Sequence, residues 1–371
     1  MKVLHVINTL SAGGAEHHLL NLSRELRRRG VEVTVACLRE TVPGSRSLRP
    51  EFERDGAHVV DLEATDRFAS KFLARVPGLI RRERPDLLHT HLPRADFGGV
   101  FWRCMGRVPW VCSVHDIHSA SWAPAWAIPL MCRLWRRADR VIAISEAVRT
   151  WLEQECRVPP SLTTVIHYGI DPQQFDLRAG HRDRRRGSII GAVGRLEARK
   201  GHETLIRAMP LVLARFPNAC LRIAGHDHQR HASALRRLAA ELSLGERVQF
   251  VGYQDDVAAF LADVDVFALA SRAEGFGQAV IEAMAAGLPV VVSRLSPLDE
   301  IVIDGQSGRL ADVDSPAAFA EAICAVLGDS AAASFMGMTA RQRVVEAFSA
   351  VDMAERTLNV YRHVCADATD H

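Results

Sequence analysis

Residues 188–201 read SIIGAVGRLEARKG, a short apolar run that breaks at a glycine and continues through basic residues into a helical pattern. The run is typical of a buried parallel strand, and the loop behind it leads into the N-terminus of a helix. Backbone N–H groups at such a junction favour a diphosphate, and Arg195 and Lys200 add two cations. Lys200 is one of only three lysines in the chain. The stretch therefore predicts an α/β fold with a phosphate site, although two loop charges alone would also fit a purely structural role.

The same alternation of short β-branched runs and helical segments continues on both sides and falls into two sets. It predicts two Rossmann-like domains with parallel sheets that face a central cleft. A length of 371 residues agrees with two domains, because one hydrophobic core seldom supports so long a chain. The predicted strands are residues 3–9, 32–37, 57–60, 86–89, 110–114, 140–144 and 163–166, then 188–193, 220–224, 248–251, 264–268 and 289–293.

Domain boundaries follow the lapse of this pattern. We place the first domain at residues 1–171 and a linker at 172–187, where polar residues and a run of arginines replace the apolar rhythm. The second domain takes residues 188–350, and a final amphipathic helix occupies the segment 351–371.

Bulk composition argues against several classes of protein. The longest apolar stretch, 122–132, contains two prolines and is shorter than the roughly 18 residues of a membrane span. The N-terminal run suits a buried strand better than a secretory signal, so we expect an intracellular protein. Eight cysteines stand singly, without metal-ligand spacing, and this predicts neither zinc nor disulfides.

Charge and tryptophan are concentrated in the first half of the chain. Residues 1–170 hold 24 Lys and Arg against 18 Asp and Glu, and all six tryptophans lie between Trp102 and Trp151. Basic and aromatic residues together favour an anionic membrane surface as a partner. A solvated basic face beside core aromatics explains the same composition equally well. The near-balanced total charge predicts no nucleic-acid partner.

A second cluster, residues 271–278, leads into a predicted helix and carries two carboxylates, Glu274 in the loop and Glu282 in the helix. Gly275 and Gly277 let the backbone approach a ligand where the helix begins. Ionised carboxylates accept hydrogen bonds well from sugar hydroxyl groups. The eight-residue spacing by itself carries little weight, since chance alone produces about one such pair.

Two further candidates follow strands of the first set. Gly13 and Gly14, with Glu16 behind them, form a turn that permits close approach of a ligand. The chain has no Gly-x-Gly-x-x-Gly, which disfavours an NAD-dependent oxidoreductase. His115 stands at the end of strand 110–114, where ligands of open α/β sheets bind, although a lone histidine is more often structural.

His89 and His91 are weaker candidates of the same kind. Two Asp-x-Asp pairs, Asp263/Asp265 and Asp312/Asp314, occur at the frequency expected by chance. We therefore predict no metal and no cofactor, because Arg195 and Lys200 offset the charge of a leaving diphosphate.

Taken together these segments resemble glycosyltransferase family 4, whose members share the GT-B architecture. The likeness covers nearly the whole chain and is carried by four segments in the same order, namely 13–16, 194–201, 274–282 and 286–291. Each segment alone is a weak signal, whereas the four in order are a strong one.

The resemblance implies a role for each site residue. Arg195 and Lys200 would bind the donor diphosphate and Glu282 the ribose hydroxyls. Glu274, with the backbone of Phe276 and Gly277, would hold the donor sugar. In the first domain, which would take the acceptor on the side of Gly13 and Glu16, Gly14 would approach the diphosphate and His115 the donor sugar.

The implied activity is a retaining hexosyltransferase that moves a sugar from a UDP- or GDP-sugar to a glycan or lipid-linked acceptor. The pathway that the family suggests is bacterial envelope polysaccharide biosynthesis, in the cytoplasm or peripherally on the inner face of the membrane. A non-catalytic nucleotide-sugar-binding protein on the same scaffold is the main alternative.

Overall fold

The computed structural model describes residues 1–369 except 43–44, 65–69, 107, 118–126, 177–187 and 228–229. The chain forms two compact units, Met1–Ile170 with Ala350–His371, and Asp171–Ser349. Most of the predicted linker, residues 177–187, lies outside the described residues. The first residues of the predicted linker, Pro172–Phe175, form a 3-10 turn within the second unit.

Seven parallel strands make up the sheet of the first unit, with helices on both faces. The strands are β1 (Lys2–Ile7), β2 (Glu32–Cys37), β3 (His58–Asp61), β4 (Leu87–His91), β5 (Trp110–Val114), β6 (Arg140–Ala143) and β7 (Thr163–Val165). The helices are α1 (Gly14–Arg28), α2 (Arg49–Arg54), α3 (Ser70–Glu83), α4 (Pro93–Gly106), α5 (Ala127–Trp135) and α6 (Glu146–Gln154), joined by the C-terminal α14 (Ala350–Thr369). The strand order is β3-β2-β1-β4-β5-β6-β7.

Six parallel strands make up the second sheet. They are β8 (Ile189–Val193), β9 (Cys220–Ala224), β10 (Val248–Gly252), β11 (Val266–Leu269), β12 (Val290–Ser293) and β13 (Arg309–Ala311). The helices are α7 (His202–Arg215), α8 (Ala232–Glu241), α9 (Val257–Ala262), α10 (Gln278–Ala285), α11 (Leu298–Ile301), α12 (Pro316–Gly328) and α13 (Ser330–Ala347). The strand order is β10-β9-β8-β11-β12-β13.

Each sheet is buried on both faces, which is why its strands read as apolar runs rather than as an alternation. In β5 all five residues are buried, and β4 and β12 are buried throughout as well. One layer of the first core lies between the sheet, α1 and α14, and includes Leu19, Met353 and Tyr361. The C-terminal helix therefore supplies core side chains to the unit that the N-terminus begins.

Three details differ from the sequence predictions. The edge strand β13 was not predicted, because it is only three residues long and begins with an exposed arginine. Strand β11 begins at Val266, so Asp265 precedes it instead of entering it. The prediction of no disulfides is wrong for one pair, since Cys132 and Cys156 are joined by a disulfide with their Cα atoms 4.7 Å apart.

Among the described residues, no single helix has the length and apolar composition of a membrane span. The helices α12 and α13 meet that criterion only as a pair, bent by 103° at the break between them.

Candidate functional site

In the second unit the strand order reverses between β8 and β11, which lie side by side while their crossovers run to opposite edges of the sheet. Open parallel sheets bind ligands outside the carboxyl ends of the strands at such a point. The loop after β8 carries Arg195 and Lys200, and the loop after β11 carries Glu274. The topology thus brings two of the sequence-predicted segments to one place.

The centre of this site is an ion pair between Lys200 and Glu274. Lys200 Nζ donates to Glu274 Oε1 at 2.7 Å, and Ser271 Oγ donates to the same oxygen at 2.6 Å. The Lys200 side chain is 15% exposed and that of Glu274 only 6%. Burial alone would raise the pKa of Glu274, but the charge of Lys200 and these hydrogen bonds outweigh it, and the pKa lies below its ordinary value. Glu274 is therefore an ionised carboxylate that accepts hydrogen bonds.

A glycine fixes the position of Lys200 next to this carboxylate. Gly201 has φ +64°, and a Cβ atom on it would lie 1.8 Å from the carbonyl oxygen of Ala270. Only glycine adopts this conformation without strain and lets the two backbones approach so closely. The close contact ties the end of the β8 loop to the start of the β11 loop.

Arg195 lies in the same loop with its side chain about half exposed. Its Nη2 atom is 3.1 Å from Glu197 Oε1, which also accepts from Arg199 Nε at 2.8 Å. Glu197 is only 9% exposed, but Arg199 remains its partner, so Arg195 can turn to a phosphate group without leaving this carboxylate unpaired.

Glu282 lies on α10, and Gln278 Nε2 donates to its Oε1 atom at 2.9 Å. Protein atoms surround the carboxyl group, and this burial raises its pKa to about 7. The α10 helix begins after Gly277, whose φ of +129° requires glycine, because a Cβ atom there would also lie 2.7 Å from Leu298 Cδ2. The Phe276 side chain is buried against Phe348, which leaves its backbone as the part that a ligand can contact.

In the first unit, the predicted glycine turn joins β1 to α1. Gly13 is the N-cap of α1 in an extended conformation, and Gly14 is the exposed first residue of the helix. Glu16 is buried and accepts from Thr9 Oγ1 at 3.2 Å. A Cβ atom on Gly13 would lie 2.7 Å from Glu16 Oε2, so this glycine makes room for the carboxylate. Gly14 is thus presented to solvent at a helix N-terminus, whereas Glu16 supports the turn.

His115 follows β5 as expected, but both of its ring nitrogens face protein groups. Nε2 lies 3.1 Å from His91 Nδ1, and Nδ1 lies 2.6 Å from the hydroxyl oxygen of Tyr168. The residue is 7% exposed. His115 can donate to a sugar oxygen only if one of these two contacts is given up.

The histidine belongs to a buried cluster on one face of the first sheet. His5 on β1 is in register with His89 on β4, and His91 on β4 is in register with Ser113 on β5. His5 Nδ1 lies 3.0 Å from His91 Nε2, while the two nitrogens of His89 face Tyr361 and Ser113 at 2.6 and 2.8 Å. Burial lowers the pKa of His5 to about 3 and the pKa values of His89 and His91 well below the ordinary value.

The Asp-x-Asp pairs take part in structural contacts. Asp265 Oδ2 accepts from the backbone N–H of Ile189 at 2.8 Å, and Asp314 Oδ1 accepts from Arg272 Nε at 2.7 Å. Within the described part of the chain, neither pair belongs to a cluster of three potential metal ligands.

Sequence reasoning missed several residues of these sites. Ser271 and Gln278, which hydrogen-bond the two glutamates, stand in the quoted cluster but carried no assignment. His5 and Tyr361 were read as strand and helix residues, and Tyr168 as part of the segment behind the strand 163–166. The available signal was His-x-His in β4, which places two imidazoles on one face of a strand.

Two doubly wound parallel sheets in one chain, with a lysine–glutamate pair at the switch point of the second, define a glycosyltransferase of GT-B architecture. Family models match both parts of the chain, "Glycosyltransferase Family 4" over residues 12–174 and "Glycosyl transferases group 1" over residues 173–343. The chain belongs to glycosyltransferase family 4, as its sequence resemblance implied.

Characterised relatives and solved structures agree. A lipopolysaccharide core biosynthesis glycosyltransferase of Rhizobium meliloti is 30% identical, over 94% of this chain and 95% of the relative. A phosphatidyl-myo-inositol mannosyltransferase of Mycobacterium tuberculosis is 30% identical, over 85% and 84%.

Among solved structures, a sucrose-phosphate synthase of Thermosynechococcus elongatus aligns with a TM-score of 0.85 at 25% identity, over 99% of this chain and all of that one. Anabaena HepE in complex with UDP and glucose also aligns with a TM-score of 0.85, at 23% identity over 97% of this chain and 99% of that one. The predicted fold class is confirmed.

Proposed function

We propose that the protein is a retaining hexosyltransferase that transfers a sugar from a UDP- or GDP-sugar to a glycan or lipid-linked acceptor. The observation that carries the proposal is the buried Lys200–Glu274 pair beside the exposed Arg195 at the switch point of the second sheet. The names of the Rhizobium and Mycobacterium relatives support a role in bacterial envelope polysaccharide assembly.

In this proposal the donor diphosphate replaces Glu274 as the partner of Lys200 and Glu197 as the partner of Arg195. Lys200 and Arg195 each turn from a glutamate to a phosphate oxygen, forming the charge-assisted contacts that stabilise a departing diphosphate. Glu274 then loses its lysine partner and accepts hydrogen bonds from hydroxyl groups of the donor sugar, with the backbone at Phe276 and Gly277. Glu282 accepts the ribose hydroxyls.

Chemistry then follows without a metal or other cofactor. The acceptor hydroxyl attacks the anomeric carbon from the side that the diphosphate leaves, the bond to the diphosphate oxygen breaks, and the departing phosphate takes the acceptor proton. Two cations that are already in place offset the negative charge that develops on the leaving group. In this proposal the first unit takes the acceptor, and Gly14 and His115 remain its candidate ligand-binding residues.

An exposed aromatic surface on the first unit supports binding of the enzyme to an anionic membrane. Trp102, Trp110 and Trp135 do not contribute to it, because they are fully buried. Instead Phe97 and Phe101, one helical turn apart on α4, are 44% and 43% exposed.

The α4 helix and the helices that pack on it also carry exposed arginines. Helices α3 and α5 both pack on α4. The exposed arginines of the three helices are Arg75, Arg81, Arg82, Arg94, Arg103 and Arg133. Exposed aromatics among arginines are the composition of an interfacial surface. We therefore propose that the enzyme acts in the cytoplasm, peripherally on the inner face of the membrane.

The alternative is a non-catalytic nucleotide-sugar-binding protein on the same scaffold. Measured turnover separates the two functions. A panel of nucleotide sugars is screened first by thermal stabilisation, which reports binding, and then by hydrolysis or transfer, which reports chemistry. Stabilisation by one nucleotide sugar with turnover supports the enzyme, stabilisation without turnover supports the binding protein, and no stabilisation by any nucleotide refutes both. Family membership gives no support to the NAD-dependent alternative.

A further inference from the structure

We propose that His5, His89 and His91 form a binding site for a zinc ion inside the first unit, separate from the chemistry of sugar transfer. One potential ligand atom from each of the three lies within 4.8 Å of the others, and all three side chains are completely buried. The sequence predicted no zinc because His5 is far in the chain from the His89/His91 pair, so no ligand spacing joined the three residues.

Strand register holds the three rings on one face of the sheet. His5 and His89 are directly opposite each other on neighbouring strands, and His91 follows His89 by two residues. Positions two apart on a strand share a face, and parallel partners in register do so as well. The backbone ladder therefore positions the ligands before any ion binds.

The spacing of the rings is close to what a tetrahedral ion requires. With metal–nitrogen distances of about 2.05 Å, two imidazole centroids around one zinc lie about 5.2 Å apart and their ligating nitrogens about 3.3 Å apart. The His5–His89 and His5–His91 centroids lie 5.1 and 5.3 Å apart, and His5 Nδ1 is 3.0 Å from His91 Nε2. Only the His89–His91 pair, at 4.1 Å between centroids, has to open by about 1 Å.

The surrounding groups match those that orient metal-binding histidines. Such a histidine usually donates its second ring N–H to a fixed acceptor. His91 Nδ1 faces His115 Nε2 at 3.1 Å, and His89 Nδ1 faces the Tyr361 hydroxyl at 2.6 Å. The second nitrogens face protein groups as well, His89 Nε2 the Ser113 hydroxyl at 2.8 Å and His91 Nε2 the His5 ring at 3.0 Å, so an ion bound at these two nitrogens would replace both contacts.

One buried atom remains unexplained by hydrogen bonding alone. A neutral imidazole has one N–H donor and one lone-pair acceptor. In the row of hydrogen bonds His5–His91–His115–Tyr168, each nitrogen between two neighbouring rings has a partner, and the outer nitrogen of His5 has none in the described part of the chain. That atom is His5 Nε2, which has no partner among the described residues. Leaving a polar atom buried and unpaired costs about 1–3 kcal/mol, so hydrogen bonds among the neutral rings do not fully satisfy this cluster.

The test is the zinc content of untagged protein. Wild type and the control His18→Gln, which changes a buried histidine outside the proposed ligand set, are expected to hold about one zinc per chain by plasma mass spectrometry. His5→Gln and His91→Gln are expected to lose most of it. Lys200→Met is expected to keep its zinc while losing transfer, so failure of this site and failure of the proposed function are distinguishable.

Refolding of the metal-free wild type tests the zinc site independently of whether the ligand variants fold. Metal-free wild type refolded with Co²⁺ should show the visible bands of a tetrahedral site. A hundredfold excess of Zn²⁺ over Kd should raise the Tm by roughly 5–10 °C. Tyr361→Phe, which keeps all three ligands, should weaken zinc binding by about 10- to 100-fold. The site is refuted if wild type contains only background zinc and shows neither Co²⁺ bands nor a Tm shift. It is also refuted if a folded His5→Gln variant contains as much zinc as wild type.

Discussion

Replacing Lys200 by methionine keeps most of the side-chain volume and removes the charge that pairs with Glu274. The carboxylate is 6% exposed and then has Ser271 as its remaining donor. Removing one partner of a buried ion pair costs about 3–5 kcal/mol. Protonation of Glu274 limits the loss, so we expect a decrease near 3 kcal/mol, equivalent to a Tm shift of roughly 6–12 °C for a unit of this size.

The pH profile of the same variant gives a second measure. In the wild type the pKa of Glu274 lies below its ordinary value. Its contribution to the free energy of unfolding is therefore complete above the unfolded pKa and is lost as the pH falls through the lower folded pKa. Without Lys200 burial raises that pKa instead, so Lys200→Met should no longer lose this contribution on the acid side. Thermal melts between pH 3 and 7 measure the slope.

Binding of the free nucleotide diphosphate separates a phosphate ligand from a purely structural lysine. Loss of a charge-assisted hydrogen bond of about 1.5–3 kcal/mol should weaken UDP or GDP binding by about 10- to 150-fold in Lys200→Met. Glu274→Gln releases Lys200 from its ion pair, so this variant should bind the diphosphate as tightly as wild type or more tightly while losing sugar transfer.

Calorimetric titration with UDP or GDP tests whether Lys200→Met and Glu274→Gln have these opposite effects on affinity. Arg199→Met is the control for a charge lost from the same loop. Wild-type affinity in Lys200→Met refutes the assignment. Equal weakening in Lys200→Met and Glu274→Gln means that the pair is structural only.

Four further outcomes are expected. The pKa of Glu282 is about 7 against an ordinary 4.5, so the folded state binds the extra proton between these values. The free energy of unfolding should then fall by up to about 3 kcal/mol as the pH rises across that range, and urea titrations should show the slope lost in Glu282→Gln. Gly201→Ala should cost more than about 1 kcal/mol and weaken diphosphate binding, because a Cβ atom meets the Ala270 carbonyl oxygen. The double variant Phe97→Ser/Phe101→Ser should weaken sedimentation with anionic liposomes about tenfold or more. Transfer should not change in EDTA, because the proposed transfer step uses no metal ion.

Matched controls are available for these outcomes. Phe335, 65% exposed on α13 of the second unit, is the control for the liposome variant, and equal loss in Phe335→Ser would contradict a specific surface. Gly245 also has a positive φ but nothing within 4 Å of its Cβ position, so Gly245→Ala isolates conformational strain from the clash. An unchanged pH slope in Glu282→Gln assigns the titration to another group. Strict dependence of transfer on added Mn²⁺ or Mg²⁺ would return the Asp-x-Asp pairs to the candidates.

Strands buried on both faces were predictable from the sequence. Segments 32–37, 110–114 and 220–224 begin and end at the predicted residues, because each is a short, mostly apolar run between two helical segments. The edge strand Arg309–Ala311 has no such run, since only its last residue is buried. Length and burial, rather than strand propensity alone, decided which elements could be recognised.

The candidate site was predictable as a set of residue types and not as a set of contacts. Lys200 and Glu274 are 74 residues apart, and their pairing depends on β8 and β11 being neighbours. The same limit applies to His115, whose candidate role ignored His91 and Tyr168 because these two residues meet it only in the folded unit. Long-range pairing sets which nitrogen of a histidine remains available, and local sequence does not contain that information.

The helix Ala350–Thr369 belongs to the unit that begins at Met1, although the whole second unit lies between them in the chain. During synthesis, the ribosome therefore completes the contiguous segment Asp171–Ser349 before it releases the residues that close the core around Tyr361. The half that is translated first therefore lacks part of its core until this helix has been synthesised, and its histidine-lined interior is without that cover in the meantime. A premature stop after Ser349 would thus damage the N-terminal half and spare the half adjacent to the truncation.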